Sequence, residues 1–226
     1  MPVKVGIIDT GIGTALNMVV SARIGMRLDE AGNVQRFASS ETDSFGHGTA
    51  VAHLVVDRAT QCSLLSAEVF SAARPTAAQV VAEAIIWCVE AGARIINLSL
   101  GLRDDRRTLR ESCQAAISQD VLLVASHPAR GPATYPAIYP GVLAVNGDIR
   151  CGEGECSCLV HNQLYGASPL PPRGFSGGGA SYAAARITGQ AAAFFETYSD
   201  ATSADLRTHL QAVALFHGRE HRQAAT

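Results

Sequence analysis

The stretch Val5-Gly6-Ile7-Ile8-Asp9-Thr10-Gly11 joins an apolar run to an acid and a glycine. From Val3 to Ile8 the run has no polar alternation apart from Lys4, which fits a strand buried on both faces of a parallel sheet. Working outward, helix-period and strand-like segments alternate. Gly48–Arg58 carries apolar residues at helical spacing, and Leu64–Phe70 reads as the next strand. Pro75 suits the first position of a helix, where its missing N–H costs nothing. The stripe Val80, Ala84 and Cys88, flanked by Val81 and Ile85, gives that helix one apolar face, and Gly92 supplies its stop. Arg94–Leu100, Val121–Ala125 and Val142–Val145 read as strands, the last closing the core before a cysteine-rich loop. Thr108–Ser118 and Ser181–Tyr198 read as helices, and Thr202 with Asp205 forms a capping box for a final helix ending near Ala214. The tail from His217 is expected to fray. This alternation predicts an α/β fold with a mainly parallel central sheet flanked by helices. At 226 residues, the chain is expected to be a single domain, 1–226.

Two further segments give the Asp9 motif a chemical meaning: Phe45-Gly46-His47-Gly48-Thr49 and Gly179-Ala180-Ser181-Tyr182-Ala183. Singly, each has an ordinary structural reading: a turn, a glycine-flanked loop with a solvated histidine, and a serine N-cap. Jointly they supply an acid, a base and a nucleophile. A serine hydroxyl attacks poorly unless an imidazole takes its proton, and a carboxylate must hold that imidazole in the right tautomer. The order Asp, His, Ser is that of the subtilisins. The pattern around the histidine also includes Asp43. The chain therefore resembles the subtilisin-like serine peptidases, the subtilases, from about Val3 to about Ala214.

That resemblance implies a three-layer fold, a triad of Asp9, His47 and Ser181, and an acyl-enzyme. Ile95-Ile96-Asn97-Leu98-Ser99-Leu100-Gly101 resembles the family's substrate-lining strand, so Ser99, Leu100 and Gly101 are the expected peptide-binding residues. Adding a peptide to a sheet edge makes main-chain hydrogen bonds whatever its side chains. A bulky replacement of Gly101 is expected to hurt peptide binding more than folding. Tyr135-Pro136-Ala137-Ile138-Tyr139-Pro140-Gly141-Val142-Leu143-Ala144-Val145 extends the likeness.

The pattern breaks at the oxyanion hole. Subtilases pair the nucleophile's backbone N–H with an asparagine amide after a core strand. Here that run is Leu122-Leu123-Val124-Ala125-Ser126-His127-Pro128, without asparagine. Either His127 donates in its place or it is only a loop residue and the hole is half formed. Loss of one such donor costs about 10²–10³ in kcat. Ala180 and Ala185 replace a usual threonine and proline, with the helix start left intact.

The formal net charge of −2 argues against nucleic acid or an anionic membrane as the main partner; a peptide or protein substrate is expected. No cofactor and no metal enters this chemistry. No apolar run is long enough to span a bilayer. Met1-Pro2-Val3-Lys4 passes straight into the first strand without a signal-like h-region, and from this a cytoplasmic location is expected. Cys62, Cys88 and Cys113 read as small buried hydrophobes. Cys151, Cys156 and Cys158, with His161 close behind, leave three readings open: reduced thiols in a surface loop, one local disulfide, or a zinc site of unusual spacing. Pro169-Leu170-Pro171-Pro172 reads as a stiff loop before the nucleophile, and Arg103-Asp104-Asp105-Arg106-Arg107 as a solvated turn within reach of a substrate's charges.

The residues thus favour a selective cytoplasmic serine endopeptidase, for example one that removes the leader of a small modified peptide. A weak or inactive peptide-binding relative is the alternative. A peptide cyclase using the same acyl-enzyme ranks behind both.

Overall fold

The computed structural model describes residues 2–39, 42–70, 76–161 and 163–219. Its backbone is the sheet that the Asp9 strand demands. β1 (Lys4–Asp9) pairs in parallel with β4 (Ser63–Glu68) on one side and β5 (Ile95–Leu98) on the other. Beyond β5 come β6 (Leu122–Ser126) and β7 (Leu143–Gly147), also parallel. β2 (Val20–Leu28) and β3 (Val34–Phe37) extend the edge beyond β4. β8 (Cys156–Val160), β9 (Leu164–Ala167) and the short β10 (Phe216–His217) finish the other side. The full order is β10-β8-β9-β7-β6-β5-β1-β4-β2-β3, with only the β2–β3 and β8–β9 pairs antiparallel.

Strand alternation sorts the side chains into two cores. Val5 and Ile7 face α1 (His47–Val56) and α4 (Ala180–Thr197). Ile8 faces α2 (Ala78–Glu90) and α3 (Arg107–Ser118) on the opposite side. Helices on both faces of one parallel sheet make three layers, as the alternating pattern predicts. Gly6 in β1 is a packing requirement: a Cβ there would meet the Cys88 sulfur of α2 at 2.7 Å. α5 (Ser203–Val213) begins at Thr202, whose side chain accepts the Asp205 N–H while Asp205 accepts the Thr202 N–H, the predicted capping box.

Five strands escape the sequence reading: β2, β3, β8, β9 and β10. The cysteine-rich loop is in part strand β8, which holds Cys156 and Cys158 buried against the α4–α5 side. The tail is also held further than expected. Phe216 and His217 pair with Ser157 and Cys158, and the Gly218 N–H donates to Cys158 O at 2.9 Å. Pro75 lies outside the described residues, and α2 begins at Ala78.

Candidate active site

Asp9 ends β1 near the middle of the sheet, and its carboxylate is buried. Its Oδ1 accepts the Thr10 N–H at 2.8 Å and the His47 Nδ1–H at 2.7 Å. His47 opens α1, whose N-cap is Gly46 at φ 72° with no side chain to cap the helix. Asp43 does the capping instead. It accepts the Gly46 N–H at 2.9 Å, the Thr49 N–H at 2.8 Å and the Thr49 hydroxyl at 2.7 Å. The Thr10 hydroxyl donates to Asp43 at 2.9 Å and accepts the Gly48 N–H at 2.9 Å, while Thr49 Oγ1 accepts the Gly13 N–H. The end of β1 and the start of α1 are therefore laced together through one carboxylate. Gly48 is required here, because a Cβ would overlap the Gly11 carbonyl.

Asp9 governs the electrostatics of His47. The hydrogen bond that its carboxylate accepts raises the imidazole above the usual histidine value; burial opposes this, and the charges of Asp9 and Asp43 add to it.

Ser181 is the second residue of α4, after Gly179 at φ 136°. A helix leaves its first N–H groups without intrahelical partners, and the Ser181 N–H has no hydrogen-bond acceptor among the described residues. It is a ready donor for a developing oxyanion. Ser181 Oγ donates to the Ser99 carbonyl at 3.4 Å, and no hydrogen bond joins it to His47 in this structure. Both side chains nevertheless line one cavity of about 310 Å³. Tyr182, next to Ser181, is buried with its ring stacked on the His47 imidazole at a centroid distance of 5.6 Å and 22° between planes. Nothing in the sequence signalled that contact. It arises because α1 and α4 pack together on the same face of the sheet.

Past Leu98 the β5 ladder stops. Ser99 and Leu100 are buried, Gly101 is exposed, and the Leu100 and Gly101 backbone groups have no backbone partner among the described residues. A buried chain fixes Ser99: the Thr188 hydroxyl of α4 donates to Asn97 Oδ1 at 3.0 Å, and Asn97 Nδ2 donates to Ser99 Oγ at 2.8 Å. At Gly101 packing adds a demand to the sequence reading. A Cβ there would lie 2.6 Å from Thr134 Oγ1 and 2.9 Å from Thr134 Cβ, beside the Leu102–Tyr135 bridge. A larger residue at this position therefore disturbs packing as well as any bound peptide.

His127 follows β6, where the sequence places the missing amide. Its Nδ1–H donates to Pro128 O at 2.9 Å, and its ring lines a separate cavity with Ala137, Tyr139 and Arg207. Its neighbour Ser126 is buried with its hydroxyl 3.4 Å from Leu100 O. The structure therefore brings Asp9, His47, Ser181 and Ser99 together, while His127 occupies the next cavity.

The cysteines stand apart from this site. All six are free and buried, and burial pushes Cys62 and Cys113 up to about 12 and Cys151 and Cys156 up to about 11, so thiolate is scarce near neutral pH. No cluster of three or more His, Cys, Asp or Glu side chains among the described residues is placed to hold a metal ion. No described helix is long and apolar enough to cross a membrane. The Arg103–Arg107 turn is laced by ion pairs, Arg106 with Asp104 and Arg110 with Asp105, and Tyr139 donates to Asp105 at 2.7 Å.

Known proteins carry the same architecture. Subtilisin Savinase of Lederbergia lenta is 27% identical over 154 residues, which cover 63% of this chain and 54% of that protein. The chain thus spans about half the length of that relative. The protease domain of PatA superposes with a TM-score of 0.69 at 23% identity, covering 91% of this chain and 84% of that one. The prenylagaramide maturation protease PagA superposes with a TM-score of 0.66 at 22% identity, over 87% and 76%. These two likenesses speak to the fold. A model of the Subtilase family matches residues 2–225, nearly end to end, and the chain belongs to that family.

Proposed function

We propose that this chain is a serine endopeptidase whose triad is Asp9, His47 and Ser181. One observation carries the reading: a buried carboxylate holds His47 Nδ1 at 2.7 Å while His47 and Ser181 face the same cavity. With Nδ1 occupied, the other ring nitrogen is left to take the Ser181 proton. This requires the Ser181 hydroxyl to turn from Ser99 O towards that nitrogen, and such bonds often tighten only when substrate binds. Attack on the scissile carbonyl gives a tetrahedral oxyanion facing the Ser181 N–H. His47 then returns the proton to the leaving amine, and water repeats the sequence on the acyl-enzyme. The acyl side of the substrate pairs with Ser99, Leu100 and Gly101.

His127 remains our candidate for the second oxyanion donor. It sits at the same end of the sheet, and its ring serves only after leaving Pro128 O. A hole with one fixed donor gives a slow enzyme that depends on its substrate for orientation, and on this ground the role proposed is selective processing, such as leader removal. PagA is itself a maturation protease, but the reading for this chain rests on the incomplete hole.

A second reading is a peptide-binding relative with little turnover, favoured by the Ser181 hydroxyl lying on Ser99 O. Labelling with a fluorophosphonate, set beside Ser181→Ala, decides between them. Labelling confined to the unsubstituted chain, with hydrolysis of a peptide library, supports the peptidase. Peptide binding without labelling or turnover sinks it.

A further inference from the structure

Resting on the peptidase reading above, we propose that the cavity between Phe45, His47 and Tyr182 selects a large apolar side chain, aromatic or leucine-like, on the first residue of the leaving fragment. The side of the cleft follows from the chemistry. His47 returns its proton to the leaving amine, so that nitrogen must sit within hydrogen-bond reach of the imidazole. The acyl fragment runs the other way, along Ser99–Gly101. A side chain carried beside the leaving nitrogen therefore enters the space that borders both His47 and Ser181. That space is the cavity of about 310 Å³, near the lower end for binding pockets. It has room for one large side chain.

Its walls are aromatic. Phe45 is 52% exposed, an aromatic ring left in water immediately before the Gly46–His47 pair. Phe175 packs against His53 of α1 at a ring distance of 5.5 Å, which fixes the opposite wall. Tyr182 presents its ring, and its hydroxyl is held by donation to Ser176 O at 3.0 Å. The remaining wall is glycine backbone flanked by Ser176 and Ser181. Gly177 has φ +93°, which disfavours any side chain, and a Cβ at Gly178 would press on Pro169 O at 3.2 Å. Among the described residues, the ionisable side chains in these walls are the His47 imidazole and the Tyr182 phenol. Apart from His47 and the two serines these walls offer a charged group nothing to pair with, so a carboxylate or ammonium placed there gives up hydration for little return, whereas an aromatic ring covers the exposed face of Phe45.

The leaving fragment departs when the acyl-enzyme forms, so its side chain acts on acylation and not on deacylation. This gives the test. Peptides sharing one acyl half and carrying Phe, Leu, Ala, Asp or Lys at the first leaving position are compared by kcat/KM, alongside an ester of the same acyl half. The expected order is Phe and Leu above Ala by roughly ten- to hundredfold, with Asp and Lys lowest. Phe45→Ala should compress the Phe-to-Ala ratio, and Phe45→Arg should raise Asp relative to Phe. Both substitutions alter an exposed side chain, and circular dichroism verifies the fold. Ester turnover with a flat peptide series, or with charged residues preferred, overturns the pocket and leaves the peptidase standing. An ester untouched and Ser181 unlabelled by fluorophosphonate overturns the peptidase, and this inference with it.

Discussion

The two halves of the proposed active site are held very differently. Around Asp9 and His47, one carboxylate, that of Asp43, gathers Thr10, Gly46 and Thr49 through four hydrogen bonds of 2.7–2.9 Å, with the Phe45 N–H beside them at 3.2 Å. Around Ser181 there is its own N–H, without an acceptor among the described residues, one long contact to Ser99 O, and a histidine whose Nδ1 is engaged with Pro128 O. The half that handles the proton is built in advance. The half that must stabilise negative charge has a single fixed donor. Preorganised donors act because they need no reorganisation as charge develops, so the second half is where rate is lost and where a well-fitting substrate makes the most difference.

The sharpest way to test the built half is Asp9→Asn. An amide retains the shape but no longer enforces the Nδ1–H tautomer, so kcat should fall by about 10⁴ with the fold intact. Circular dichroism and single-turnover hydrolysis check this. A loss below tenfold would mean that Asp43 and the ring stack on Tyr182 suffice to orient His47.

The weaker half is probed by His127→Ala. If the ring swings into the site during turnover, kcat drops by about 10²–10³ while KM changes little, since the contact forms mainly in the transition state. His127→Asn should then recover activity. Unchanged kcat would leave the Ser181 N–H as the sole donor and widen the contrast between the halves.

The same contrast governs what the sequence disclosed. Asp9, His47 and Ser181, the proposed triad, each sit at or near the end of a regular element close to glycine, and the three motifs read jointly, not any one alone, mark them in the sequence. The central strands β1, β4, β5, β6 and β7 are buried on both faces and read as continuous apolar runs. β2, Val20-Ser21-Ala22-Arg23-Ile24-Gly25-Met26-Arg27-Leu28, lies near the sheet edge with mixed exposure and two arginines, and its pattern is too polar to stand out. β8 and β9 are four to five residues long and paired as a hairpin inside a segment dominated by cysteine and glycine. Their burial comes from α5, α4 and β10, which no local pattern reports. The Tyr182–His47 stack and the Phe45–Phe175 walls are likewise products of helix packing and loop closure.

Gly101 sharpens the comparison on a smaller scale, because it tests whether the peptide edge is built or merely vacant. Gly101→Ala places a Cβ 2.6 Å from Thr134 Oγ1, an overpacking that should cost about 1–3 kcal/mol of stability. Thermal melts should show the loss, and adding Thr134→Ala should return most of it. Loss of peptide turnover without any change in melting temperature would restore the simpler view that Gly101 serves only the substrate.

The smallest expected effect is a displacement of the pH profile. His47 must be neutral to accept the Ser181 proton, and its value is raised chiefly by the Asp9 hydrogen bond, against burial, with the charges of Asp9 and Asp43 contributing after that. The acid limb of kcat/KM should therefore lie above the ordinary histidine value near 6.5. Because the folded-state value is the higher one, the stabilisation linked to His47 is fully present below the unfolded value and is lost as pH rises through the folded value. Activity thus appears over the same interval in which this contribution to stability fades. Asp43→Asn removes one negative charge near the ring, so the limb should move to lower pH, towards the ordinary value. The same change turns an acceptor into a donor facing the Thr49 N–H, so the melting temperature also falls, but only the charge displaces the limb. A limb unmoved in Asp43→Asn would assign the carboxylate to capping α1 alone, and the electrostatics of the built half would then rest entirely on Asp9.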